Sequence, residues 1–81
     1  MENINLLKVY DNPNEEDERY TITFKVANEE IWEIVASEDA DVFFAMDITT
    51  AYETDNGKQI TFEDLPEKVR DKVLHEWKEW D

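Results

Sequence analysis

The chain has 81 residues with no cysteine, one glycine and one histidine, and its 22 acidic and eight basic residues give a net charge of −14. These counts exclude a disulfide framework, a thiolate nucleophile, a zinc site of the usual Cys/His type and a glycine-rich phosphate loop. A field this negative also repels nucleic acids and anionic membranes, and it attracts basic surfaces.

The length predicts a single domain over residues 1–81, with a thin core to which three Trp, three Tyr and four Phe contribute. The start of the chain lacks the features of a signal peptide, and no apolar run approaches the ~20 residues that span a bilayer. A small chain without cysteines is typical of a reducing compartment. We therefore expect a cytoplasmic protein.

Two strands joined by a polar loop are predicted first along the chain. Residues 4–10 are rich in aliphatic side chains, and residues 11–18 form a loop in which Pro13 and asparagines favour turns. Apolar and polar residues alternate in residues 19–27, as is typical of a half-buried antiparallel strand. The apolar positions are Tyr20, Ile22, Phe24 and Val26.

The middle of the chain is predicted as a strand followed by a helix. Residues 31–36 are rich in β-branched and aromatic side chains, which favours a third strand, although their apolar positions also fit a helix. Ser37 is followed by three acids within four residues, a pattern typical of a helix start. Residues 38–47 are therefore predicted as a helix that packs on the sheet.

A hairpin and an amphipathic helix are predicted to follow. Residues 48–54 alternate as a strand, residues 55–57 contain the Asn-Gly pair of a tight turn, and residues 58–62 form the return strand. The last helix begins at Pro66. Its apolar stripe comprises Val69, Val73, Leu74, Trp77 and Trp80. The order β-β-β-α-β-β-α predicts an α+β fold, a small antiparallel sheet with the C-terminal amphipathic helix packed on one face.

No catalytic, metal or cofactor site is predicted. Ser37 and His75 could form a triad with an acid, but Ser37 is better explained as a helix cap, and His75 falls near the polar side of a helix. Residues 53–64 have only a faint likeness to a calcium loop, because placing Gly57 at the sixth position puts Tyr52 first and Gln59 eighth, and both are wrong there. We expect a protein that is not an enzyme and holds no cofactor.

The acidic residues are unevenly distributed along the chain. Residues 1–64 hold 17 acids and four bases, a net charge of −13, and no base occurs between Lys25 and Lys58. The domain is expected to be ~30 Å across, and a duplex of that length carries about 18 charges. If the carboxylates share one side of the fold, the domain could therefore compete with DNA for a basic cleft. Solubility is the simpler alternative explanation.

In size and charge the chain resembles small acidic phage-encoded inhibitors, among them anti-restriction, anti-CRISPR and DNA-mimic proteins. We expect it to bind a basic, nucleic-acid-binding protein. The acids expected to contact this partner are Asp11, Glu15, Glu16, Asp17, Glu18, Glu29, Glu30, Glu33, Glu38, Asp39 and Asp41. The alternative is a structural or adaptor module that uses its helix and aromatic surfaces. Trp77 and Trp80 fit the core or its edge, but Trp80 is also a candidate for an exposed contact.

Overall fold

The computed structural model describes residues 3–27, 30–48 and 57–80, which form a five-stranded antiparallel sheet with a C-terminal helix on one face. The predicted α+β class is confirmed. The elements are β1 (Ile4–Asp11), β2 (Tyr20–Val26), β3 (Glu30–Ala36), β4 (Phe43–Ile48), β5 (Lys58–Ile60), a 3₁₀ turn (Phe62–Asp64) and α1 (Glu67–Trp80). Their order across the sheet is β4-β3-β2-β1-β5, so the chain passes from one edge to the other between β4 and β5.

The central strand β2 is buried on both faces, whereas the alternating pattern predicted a half-buried strand. Its apolar residues Ile22 and Phe24 lie in the core beneath α1, as predicted. On the opposite face Thr21 and Thr23 are also buried. The Thr23 hydroxyl accepts a hydrogen bond from the Lys8 amide (3.1 Å) and donates one to the Lys8 carbonyl (3.2 Å), at an irregularity in β1. A buried polar side chain is tolerated here because its hydrogen bonds are made.

The predicted helix over residues 38–47 is wrong, because residues 43–48 form β4. The Ser37 hydroxyl accepts a hydrogen bond from the amide of Val42, five residues on, and thus closes a turn instead of capping a helix. Serine and aspartate favour both caps and turns. The side chains of residues 43–46 alternate as in a strand: Phe43 and Ala45 pack on the core, and Phe44 and Met46 lie on the other face. Residues 31–36, for which a helix remained open, belong to β3.

The second predicted hairpin is only partly described. Residues 49–56, which hold most of its first strand and turn, lie outside the described residues. Gly57 has a φ of +104°, in keeping with the predicted turn. The return strand is shorter than predicted, because it ends at Ile60, and it pairs with β1. A 3₁₀ turn follows, in which the Asp64 carboxylate accepts bonds from the amide and hydroxyl of Thr61 (3.1 and 3.0 Å).

The C-terminal helix is confirmed, and it starts one residue later than predicted. The Pro66 carbonyl accepts the first helical hydrogen bond, from the Arg70 amide (2.9 Å), which makes Pro66 the N-cap. The stripe Val69, Val73 and Trp77 is buried, but Leu74 is 39% exposed and does not widen it. Across residues 3–27, 30–48 and 57–80, no helix has the length and apolar character required to cross a membrane.

An aromatic cluster packs the C-terminal end of α1 against the sheet. Phe24 makes edge-to-face contacts with Trp77 and Trp80, at centroid distances of 5.3 and 5.4 Å. Trp80 also meets Trp32 edge-to-face at 4.7 Å, and Phe62 stacks on Trp77 at 5.7 Å. Such pairs add to the stabilisation from buried area. Trp80 is therefore part of the core edge, and only part of its side chain is exposed.

Candidate binding site: an acidic end of the sheet

Two loops with most of the predicted acids lie at the same end of the sheet. The β1–β2 loop connects Asp11, the last residue of β1, to Tyr20, the first of β2. The β3–β4 loop connects Ala36 to Phe43 in the same way. These four residues pair across the strands in one row, so the loops are neighbours. We call residues 11–19 and 37–42 the acidic end. It holds eight acids and one arginine, a net charge of −7, which is half the charge of the whole chain.

The β3–β4 loop is a tight and well-bonded turn. The Ser37 amide donates to the Val42 carbonyl (2.9 Å), and Ala40, with φ +64°, donates to the Ser37 carbonyl (3.1 Å). Asp39 accepts hydrogen bonds from the Asp41 amide (3.4 Å) and the Ser37 hydroxyl (3.3 Å). The Asp41 amide has the largest effect in lowering the pKa of Asp39. The Asp39 carboxylate therefore remains ionised at neutral pH.

Lys72 of α1 contacts the β3–β4 loop. Its ammonium group donates a hydrogen bond to the Ala40 carbonyl (3.2 Å) and lies 5.1 Å from the centroid of the Phe43 ring. Both contacts favour a cation at this position. The helix thus holds the backbone of an acidic loop that would otherwise be repelled by its neighbour.

Arg19 joins the two acidic loops. Its guanidinium binds both oxygens of Asp11, through Nε (2.8 Å) and Nη2 (3.2 Å), and lies 3.6 Å from the carboxylate of Glu38. The hydrogen bond to Asp11 raises the pKa of Arg19. The forked geometry orients both groups, as is usual for arginine–carboxylate pairs. Arg19 was not among the predicted site residues, although it is the only base between Lys8 and Lys25.

An open groove of about 470 Å³ lies between the two loops. Five carboxylates and the Arg19 guanidinium dominate its walls. The lining residues are Pro13, Glu16, Asp17, Arg19, Ser37, Glu38, Asp39, Asp41 and Val42. In the part of the chain that the structure describes, no three His, Asp or Glu residues are placed to hold a metal ion.

Eight of the eleven predicted acids belong to the acidic end. Glu30 lies at the opposite end of the sheet, where it accepts a hydrogen bond from Trp32 Nε1 (3.1 Å). Glu29 lies outside the described residues. Glu33 is partly buried in the middle of β3, on the face away from α1. Burial, and then the charge of Glu18, raise the pKa of Glu33. The expected continuous acidic surface is thus concentrated at one end.

Glu33→Gln is expected to stabilise the fold at neutral pH. The raised pKa means that the folded chain binds this proton more tightly than the unfolded chain, so ionised Glu33 costs stability. That cost is absent below the pKa of the unfolded chain and grows as the pH rises through the raised pKa of the folded state. In urea titrations from pH 4 to pH 7, the midpoint of the variant should move progressively above that of the original chain.

Glu63→Gln is the matched control for Glu33→Gln, because it removes one charge from an exposed position. It reports the general effect of lowering the net charge. An equal rise in the midpoint for both variants would show that the location of Glu33 has no special effect.

Comparison with known proteins adds no functional assignment. The chain matches no protein-family model, and neither the curated proteins nor the solved structures contain a match. The charge, shape and internal bonding of the acidic end therefore form the basis for a functional proposal.

Proposed function

We propose that the protein is a small acidic inhibitor that binds a basic, nucleic-acid-binding protein and blocks its nucleic-acid site. The acidic end is the contact surface. The observation that supports this role is the meeting of two acidic loops at one end of the sheet, with Arg19 between them. Sheet topology creates this charge density, and hydrogen bonds within each loop fix its shape before a partner arrives.

The charge of the chain approaches that of DNA of the same length. The longest dimension is 32 Å. Duplex DNA of this length carries about 19 charges. The chain carries a net charge of −14, half of it at the acidic end. Such a surface would enter a cationic cleft with rapid, salt-dependent association.

The proposed role agrees with the resemblance in size and charge to phage-encoded inhibitors. It places the protein in the cytoplasm, with a host restriction or CRISPR enzyme as the class of target. The role requires no catalysis, cofactor or metal, because the inhibitor acts by occupying the site. A restriction or CRISPR nuclease must hold nucleic acid in a basic channel, so the target class matches the sign of the field.

Displacement from immobilised DNA tests this proposal. Proteins from a bacterial lysate are bound to DNA-cellulose at low salt, and the purified chain is passed over the column. Released proteins are identified by mass spectrometry, purified and titrated against the chain at increasing salt. We expect release of basic DNA-binding proteins, with a Kd that weakens as salt rises.

Matched charge variants locate the contact surface. The triple variant Glu15→Gln, Glu16→Gln, Asp17→Asn should bind the released protein about tenfold more weakly or worse. The control Glu63→Gln, Glu76→Gln, Glu79→Gln also lowers the net charge from −14 to −11, but it leaves the acidic end intact. Equal binding by both triple variants, or a Kd independent of salt, would refute the proposed role.

A further inference from the structure

Among the described residues, the outer strand β4 pairs on one side only, with β3. The Ser37 amide bonds to the Val42 carbonyl, so antiparallel alternation directs the peptide groups of Phe44 and Met46 towards β3. The N–H and C=O groups of Phe43, Ala45 and Asp47 therefore point outwards. They offer a partner strand three donors and three acceptors.

Among the described residues, this edge has no bulge, proline or lysine to oppose strand addition, and its one charged side chain is Asp47. Edge strands are normally shortened, interrupted by bulges or proline, or supplied with lysine. The opposite edge follows this rule, since β5 has three residues and begins with Lys58. In contrast, β4 has six residues in unbroken register, with no proline or lysine. Phe44 and Met46 are 37% and 42% exposed beside this edge, so an added strand would also gain apolar contacts.

The charges around β4 select a cationic partner. Asp47 lies near one end of the strand, and Asp41 lies just before the other. Asp47 comes six positions after Asp41 in the sequence, a distance of about 20 Å in a fully extended chain. A second copy of this chain would bring another 14 net negative charges to the same edge. An extended segment with a basic residue at each end and apolar residues between them would have complementary charge.

We propose that β4 binds an extended segment of the basic partner as a sixth strand of the sheet. This inference rests on the proposed function and specifies how the partner is held. The backbone of the segment bonds to Phe43, Ala45 and Asp47, and its apolar side chains contact Phe44 and Met46. Its basic residues reach Asp47 and, at the acidic end, Asp41. Strand addition of this kind supplies affinity through the backbone and selectivity through the side chains.

Nuclear magnetic resonance with a synthetic peptide tests strand addition. The probe is the capped peptide Arg-Val-Thr-Val-Thr-Val-Arg, titrated into the ¹⁵N-labelled full chain. We expect the amides of Phe43, Ala45 and Asp47 to shift most and to gain protection from hydrogen exchange. The same peptide, N-methylated at its valines and threonines, cannot donate to the edge and should leave these amides unchanged.

Two substitutions at one position separate the backbone from the charge. Asp47→Pro removes an outward N–H without breaking a bond to β3, and proline is tolerated at such edge positions. It should weaken peptide binding about tenfold, whereas Asp47→Asn keeps the N–H and should weaken it about threefold. Equal losses for both variants would overturn the backbone contact.

The peptide experiment and the DNA-cellulose experiment fail in different ways. Shifts confined to residues 11–19 and 37–42 would overturn strand addition and leave the acidic inhibitor supported. The absence of any shift would also overturn strand addition. Failure of the proposed function itself would be seen in the DNA-cellulose experiment, as the absence of salt-dependent release, or as equal binding by the two triple variants.

Discussion

Phe24→Ala is expected to lower the free energy of unfolding by about 3–5 kcal/mol. The ring is fully buried and contacts both Trp77 and Trp80, so its loss leaves a cavity and removes two edge-to-face pairs. A chain of 81 residues has a total stability of roughly 4–12 kcal/mol. The loss is a large fraction of this total, so urea denaturation followed by tryptophan fluorescence should show unfolding at a much lower urea concentration.

Leu6→Ala is the control for this prediction. Leu6 pairs with Phe24 across β1 and β2, but it is 42% exposed. Its truncation should cost less than about 1.5 kcal/mol, because little apolar area leaves the core. Similar losses for both variants would mean that the aromatic cluster does not hold α1 on the sheet.

Gly57→Ala is expected to cost about 2–4 kcal/mol. The glycine has a φ of +104°, which residues with a side chain rarely adopt. An added Cβ would lie 2.5 Å from the Asp11 carbonyl oxygen and 2.9 Å from the Asn12 Cα. Both are backbone atoms at the start of the first acidic loop, so the clash should also displace that loop. Urea denaturation measures the cost, and amide shifts in residues 11–19 measure the displacement.

Ala27→Gly is the matched reverse change. Ala27 is exposed and has a φ of +56°, so glycine removes backbone strain there. The gain is offset by the greater freedom of the unfolded chain, and the net effect should lie within about 1 kcal/mol of zero. A mild effect of Gly57→Ala, comparable to that of Ala27→Gly, would show that neither the close contact nor the φ angle at Gly57 matters.

Regular patterns that extend along a whole strand or helix predicted the fold class and most of its elements. Alternation in residues 19–27 identified β2, and the spacing of Val69, Val73 and Trp77 identified α1. Such repeats are reliable because each is enforced by burial along a whole element. The burial of Thr23 was not predictable from alternation, because it depends on a hydroxyl that bonds to the irregular part of β1.

The error at residues 38–47 has a local cause. Ser37 followed by acids fits a helix start and a turn equally well, since in both the side-chain oxygen accepts a backbone N–H. Pairing of β4 with β3 decides between them, and this tertiary contact is not visible in a short window of sequence. The aromatic and aliphatic run from Phe43 to Ile48 was the better signal.

The sequence predicted that acidic residues form the candidate site, but it predicted less well which of them lie together there. The acids of the first loop and those after Ser37 were predicted separately, and the sheet brings them to one end. Glu30 and Glu33 were equally plausible from sequence, but strand direction places them elsewhere. Arg19 and Lys72 were missed because each acts on a segment distant in sequence, Glu38 for Arg19 and Ala40 for Lys72.

The hydrogen bond from Lys72 to the Ala40 carbonyl joins the β3–β4 loop to the helix that covers the core. Heating that loosens the helix would thus also release the loop. The loop and the helix should then unfold over one shared temperature range, without a separate melting step for the loop. Any change that raises the melting temperature of the helix should extend, by the same interval, the temperature range over which the β3–β4 loop keeps its shape.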